Sequence, residues 1–167
     1  MAIAMTLRDY LDNTGVPYDI VAHPFSTTSV QTARLTHIAS KQLAKAVVLQ
    51  DSEGYVVAVV PADRRLQLGA LRRKCKRMLG LATEDEVERV FFDCAPGAAP
   101  ALGTAYGVEV IYDDSIADCG DVYFEAGSHT DLVHVSHGGF LDLLGDANHG
   151  SFSRQMKIAH AIHPAIQ

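Results

Sequence analysis

The chain has 167 residues, 48% of them hydrophobic and 20% charged, and a formal net charge of −6. That length fits one domain, and the composition fits an ordinary soluble protein with a real core. No run approaches the ~20 apolar residues that cross a bilayer, and the acidic balance argues against indiscriminate binding to polyanions. Met1-Ala2-Ile3-Ala4-Met5 carries no basic run and leads into Arg8 and Asp9, so no export signal is expected. Cys75, Cys94 and Cys119 are an odd number at wide spacings. They suit a reducing compartment, build neither a disulfide framework nor a CxxC metal knuckle, and point to the cytoplasm.

Along the chain, Thr6 reads as the N-cap of a first helix, with Leu7, Tyr10 and Leu11 on its apolar face. Gly15-Val16-Pro17 stops it, and Tyr18 to Ala22 follows as a short strand ended by His23-Pro24. A second helix is predicted over Ser29–His37, after the hydroxyl-rich Ser26-Thr27-Thr28. Lys45–Gln50 and Tyr55–Val60 are β-branched runs joined by Asp51-Ser52-Glu53-Gly54, the pattern of a buried hairpin that Pro61 ends.

A helix is then predicted around Leu66–Met78, and Thr83 with Glu86 forms a capping box for another that reaches Phe91. Asp93 to Gly103 is a loop of small and turn-forming residues. Val108–Tyr112, Asp121–Glu125 and Leu132–Ser136 read as short strands, and Phe140–Leu144 as a closing helix after Gly138-Gly139. The expected fold is α/β of the α+β type: a mixed, largely antiparallel sheet flanked by helices. Residues 1–145 form the expected domain, and 146–167 a loosely attached tail.

The charge is unevenly spread. Seven of the fourteen basic residues, Arg64, Arg65, Arg72, Arg73, Lys74, Lys76 and Arg77, lie in one stretch without an acidic residue. The remainder of the chain carries 20 acidic against 7 basic residues, a balance of −13. Such a patch on an acidic body can grip phosphates while the rest repels nonspecific polyanions, and it serves equally well as a solvated helix face. On the first reading Arg64, Arg65, Arg72, Arg73 and Lys74 would contact tRNA or another phosphate-rich partner.

Three features can carry chemistry. Lys45 opens the most hydrophobic strand, where a lysine either snorkels to solvent or stands at a pocket wall as a fixed cation for a carbonyl, carboxylate or phosphate. The Gly97-Ala98-Ala99-Pro100-Ala101-Leu102-Gly103 loop can aim backbone amides at one oxygen, or simply connect two elements stiffly. It is not a phosphate loop, since no lysine follows the glycines. Phe124-Glu125-Ala126-Gly127-Ser128-His129 is a small-residue turn that can floor a pocket or close an ordinary hairpin. The histidine pairs His134/His137 and His160/His163 lack HExxH spacing, so no metal is expected. Without GxSxG, a triad at Ser128-His129 is weak, and Asp113-Asp114 reads as a turn cap.

In this order and at these separations, the three features and the Tyr18…His23-Pro24 segment resemble the YbaK/EbsC family, relatives of the editing domain of bacterial prolyl-tRNA synthetases. The likeness runs from about Thr6 to Leu144. It implies a cofactor-free hydrolase that cleaves the ester of a mischarged tRNA, with Lys45 as its key polar side chain. It also implies that a GxxxP-type loop, matched here by Gly97 to Pro100, surrounds the aminoacyl carbonyl, although Pro96 stands where that pattern would have glycine. Substrate-binding roles follow for His23, Gly97, Ala98, Ala99, Pro100, Gly103, Gly127, Ser128 and His129. The implied partners are aminoacyl-tRNA and a synthetase, with no membrane. A rival reading is a binding module that docks on a synthetase without catalysis.

Overall fold

The computed structural model describes residues 3–118 and 120–156. It begins with helix α1 (Met5–Thr14), strand β1 (Asp19–Ala22) and helix α2 (Ser29–Thr36). The hairpin follows as β2 (Leu43–Asp51) and β3 (Gly54–Pro61), in antiparallel register from Ala44↔Pro61 to Asp51↔Gly54. Next come β4 (Arg64–Leu66), α3 (Leu68–Cys75), β5 (Gly80–Leu81) and α4 (Glu84–Val90). The second half holds β6 (Glu109–Asp113), β7 (Val122–Glu125), β8 (Asp131–Val135), α5 (His137–Leu144), β9 (Asn148–Gly150) and β10 (Ser153–Gln155).

Eight strands form one mixed sheet in the order β1-β8-β7-β2-β3-β6-β9, with β5 paired to β2. The β7–β2, β3–β6 and β6–β9 pairings are parallel and the others antiparallel. Both faces are covered, as the uninterrupted apolar run of β3 implies. Val57 and Val59 face α1, α4 and α5, packing with Leu7, Leu11, Phe91 and Phe140. Val56, Ala58 and Val60 face the other way, toward Leu71 of α3, Leu79 and Phe152. No helix of the described residues is long and apolar enough to cross a membrane.

Local signals explain most boundaries, and where they fail a long-range contact is the reason. Thr83 accepts from the Glu86 amide and Glu86 Oε1 from the Thr83 amide, so the capping box opens α4 as the spacing requires. Thr6 does not cap α1. The helix starts two residues earlier with Ala4 at the N-cap, and the Thr6 amide donates instead to Asp93 Oδ2 at 2.9 Å. The basic segment is not one helix: Arg64–Leu66 is taken by β10 as strand β4, and Lys76, in the left-handed region at φ 56°, ends α3 early.

The segment after Asp146 is not a loose tail as far as Gln155. β9 extends the sheet beside β6, and β10 pairs with β4. Between them Phe152 is 1% exposed, and its amide donates to Asp113 Oδ1 at 2.8 Å. Asp113, 2% exposed, also accepts from the Ser115 amide and hydroxyl, so it anchors a turn and the C-terminal segment together. Phe152→Ala should therefore cost about 3–5 kcal/mol in urea unfolding, the penalty for truncating a buried phenylalanine. A change within ~0.5 kcal/mol, ordinary for surface positions, would restore the loose-tail picture.

Candidate functional site

The site grows from an incomplete pairing. On the side of β2 away from β3, β7 is paired only at Leu43 and Ala44, and β5 only at Leu49 and Gln50. The four residues between, Lys45 to Val48, have β3 on one edge and, among the described residues, no strand on the other. Along this open edge lies a cleft of about 550 Å³, lined by all four. The Val48 carbonyl accepts from the Ala82 amide at 3.0 Å, which fixes the direction of its backbone groups. Alternation along a strand then aims the Ala46 N–H and C=O out of the same edge, toward the cleft.

The remaining walls come from separate elements. Thr27 and Ser29 flank Thr28, which caps α2 by accepting from the Gln31 amide at 3.2 Å. Leu81, Ala82, Glu84, Val87 and Glu88 come from β5, α4 and the link between them, and Pro96, Gly97 and Ala99 from the small-residue loop. Glu125 and His129 close the circle from the end of β7 and the turn beyond it.

Burial shapes the electrostatics. Removal from water lowers the Lys45 ammonium below its ordinary value; Arg65 adds to the lowering, and Asp63 opposes it. The Glu125 carboxyl is pushed up to about 7 by burial alone. Its Oε1 is buried without a hydrogen-bond partner among the described residues. Glu125 stands inside the turn motif singled out from sequence but was not among the expected site residues. Its only signal in the sequence is an acid set between Phe124 and Ala126.

Of the expected residues, the fold brings Lys45, Gly97, Ala99 and His129 to the cleft. His129 holds the loop: its Nε2–H donates to the Pro96 carbonyl at 2.6 Å, and its ring meets Phe25 edge-on with centroids 5.3 Å apart. Gly97 adopts φ +81°, a turn that a side chain would strain. The others do not line the cleft. Ala98 and Pro100 are buried, with Ala98 closing a turn onto the Ala95 carbonyl at 3.0 Å. A Cβ at Gly103 would lie 2.8 Å from Val57 Cγ2, and one at Gly127 (φ +102°) 2.7 Å from Ala4 Cβ. Both glycines allow close packing. Ser128 donates to Asp131 Oδ2 at 3.0 Å. His23 is 8% exposed, its Nδ1–H donating to the Pro24 carbonyl at 2.7 Å.

The basic stretch also divides. Arg64 is tied to Ser153 through Nε and Nη2, Arg72 Nε donates to the Leu79 carbonyl at 2.7 Å, and Arg77 pairs with Asp51 and Glu109. Arg65, Arg73, Lys74 and Lys76 are exposed. Among the described residues, no three His, Cys, Asp or Glu side chains are grouped to hold a metal, while His160 and His163 lie outside those residues. Cys75 and Cys94 are free thiols; Cys119 is outside the described residues.

The site thus joins a half-paired strand edge with a lysine, a half-buried carboxyl and a glycine-containing loop around the gap. The chain belongs to the aminoacyl-tRNA editing domain family, which it matches over residues 23–143. It is 31% identical over 117 residues to a proline–tRNA ligase of Xanthomonas oryzae pv. oryzae (strain MAFF 311018), and equally to that of strain KACC10331 / KXO85. The match covers 69% of this chain and 20% of each ligase, so the chain spans about a fifth of their length.

A candidate trans-editing enzyme for prolyl tRNA synthetase shares the fold at TM-score 0.80 and 24% identity, over 90% of this chain and 96% of that one. The hypothetical protein APE2540 does so at 0.79 and 18%, over 89% and 99%. The expected resemblance and the mixed sheet flanked by helices both hold.

Because the raised value belongs to the protonated carboxyl, Glu125 favours the folded state fully below its ordinary value of 4.5, and this is lost as pH rises to about 7. The unfolding free energy of the wild type relative to Glu125→Gln should therefore fall across that window. A pH-independent difference would place the carboxyl in water.

Proposed function

We propose that this protein is a trans-acting aminoacyl-tRNA deacylase of the cytoplasm, hydrolysing the ester of a mischarged tRNA in the cleft along β2. The observation that carries the reading is Lys45, half-buried at the open edge of β2 and facing a cleft that the loop of Gly97 and Ala99 also lines. Family membership and the likeness to prolyl-tRNA synthetase sequences support it.

An aminoacyl ester is already activated, so holding it near a water and stabilising the oxyanion suffices for large acceleration. Lys45 acts as a fixed cation that orients the substrate near its acyl carbonyl. Between Pro96 and Pro100 the prolines have no amide and the Ala98 amide is bonded to Ala95, so the donors the loop offers are the Gly97 and Ala99 N–H groups. The nucleophile is water, activated by the ribose hydroxyl of the tRNA. His129 positions the loop rather than the substrate. His23, Gly103, Gly127 and Ser128 support the walls.

The tRNA contact narrows to the exposed cations. Arg65, whose charge reaches Lys45, links the basic stretch to the cleft, and Arg73 and Lys74 continue it. Arg64 and Arg72 hold the fold. A synthetase partner fits the same reading.

The deciding experiment incubates the purified protein with a panel of mischarged tRNAs, including cysteinyl-, alanyl- and seryl-tRNAPro. Turnover of at least one is expected, and Lys45→Ala should lower it by about 10²–10³-fold or more with the fold intact. Full activity in that variant overturns the role of Lys45. Binding of tRNA without turnover of any ester favours a non-catalytic module.

Charge reversal at Arg65 and Arg73 should weaken tRNA binding and shrink the slope of log K against log salt by about 0.7–0.9 for each phosphate no longer neutralised. Unchanged binding returns the stretch to a solvated face. Reversal at Arg72, by contrast, should lower the unfolding midpoint.

A further inference from the structure

The cleft has a second polar wall that the deacylase reading leaves unused. Glu125 ends β7 opposite the open edge of β2, lines the cleft, and keeps one carboxyl oxygen buried without a partner among the described residues. A buried acceptor left unpaired costs free energy, and native structures rarely retain one without a reason. Nothing about the backbone requires an acid there: β7 pairs with β8 through main-chain bonds at Glu125↔Leu132. Leucine, valine or glutamine would serve the sheet as well.

The other titratable groups around it are Lys45 on β2, Glu84 and Glu88 on α4, His129 in the following turn, and Asp131 on β8. Among the described residues no lysine, arginine or histidine forms an ion pair with Glu125, and burial is the cause of its shift. Asp131 is tied to Ser128 and Thr130, and His129 to Pro96. The cleft therefore presents a cationic pole at Lys45 and, at Glu125, an acid awaiting a counter-ion.

An aminoacyl ester carries the matching pair of features. Its electrophilic carbonyl stands one carbon away from an α-ammonium. We propose that Glu125 is the anionic anchor for the α-ammonium of the aminoacyl group, a specificity residue that admits free-amine esters and rejects N-blocked ones. The inference rests on the deacylase reading of the cleft. On binding, the protonated carboxyl gives its proton to solvent and the resulting carboxylate pairs with the ammonium; no other bond changes. A free-amine ligand should then bind more tightly as pH rises toward the titration of Glu125, and below it each binding event should release up to one proton.

The test uses two stable probes, 3′-deoxy-3′-(L-alanylamino)adenosine and its N-acetyl derivative, whose amide link resists hydrolysis. Calorimetry in buffers of different ionisation enthalpy gives affinity and proton release together. For the wild type, the free amine should bind roughly 10- to 100-fold more tightly than the N-acetyl form, as expected for a hydrogen bond to a charged group. Below neutral pH its binding should release a proton. Glu125→Gln, which keeps the shape of a neutral carboxyl, should abolish both the preference and the release.

Equal binding of the two probes by the wild type, or a preference that survives in Glu125→Gln, overturns the anchor and leaves the deacylase reading standing. Failure of both probes to bind the wild type overturns the aminoacyl reading of the cleft and this inference with it. The proton count needs only the wild-type protein, so the proposal stays open to refutation even if the variant unfolds.

Discussion

The molecule depends on the way β2 is left half-paired. A strand edge must pair with another strand, meet water or meet a ligand, because buried main-chain groups without partners are expensive. Here β7 covers two residues of that edge and β5 covers two others, leaving Lys45 to Val48 between them. Closing the gap would make a sounder sheet and remove the cleft. The neighbouring elements hold it open: Gly127 turns the chain away after β7, and the Ala95 amide bonds the Gly127 carbonyl at 2.8 Å, docking the Gly97 loop against that turn.

This arrangement separates residues that shape the site from residues that meet what enters it. Gly127 also makes room for Ala4, whose amide donates to the Ala126 carbonyl at 2.8 Å, so the start of α1 and the cleft floor are packed as one unit. Gly103 lets the loop's far end lie against Val57 and Val110. Asp93 joins the same assembly, accepting from Tyr106 Oη at 2.6 Å as well as from the Thr6 amide. The loop is thus clamped at both ends, while Gly97 and Ala99 between the clamps remain on the cleft wall. Donors that are fixed beforehand need no reorganisation when charge develops beside them.

Much of this was legible in the sequence because the decisive signals are local. The hairpin, the capping box at Thr83 and the stops at Gly15 and Pro61 all rest on a few adjacent residues. The small-residue loop and the lysine at the head of an apolar strand stood out for the same reason. What stayed hidden depends on distant partners. Arg64 and Arg72 look like phosphate grips in the linear chain, yet one is bound by Ser153 and the other by Leu79. The polar composition after Asp146 conceals Phe152, whose burial needs the space between α3 and β3. Glu125 reads as an ordinary strand-end acid until the register shows its neighbour strand departing.

That register also explains why the two ionisable poles of the cleft survive as separate groups. The parallel pairing of β2 with β7 runs Leu43↔Tyr123 and Ala44↔Phe124, and its next step would set Lys45 beside Glu125. Had the ladder continued one residue further, the two would form an ion pair, each satisfying the other and neither available to a ligand. Instead the strands part at that step. Lys45 responds to burial, Arg65 and Asp63, and Glu125 to burial alone. Burial moves the two in opposite directions, each toward its uncharged form. Glu125, at least, need not hold a full charge out of water while the cleft stands empty. A ligand that brings both a cation and a polarisable carbonyl meets both groups at once, which makes the parting of two strands a source of selectivity as well as of space.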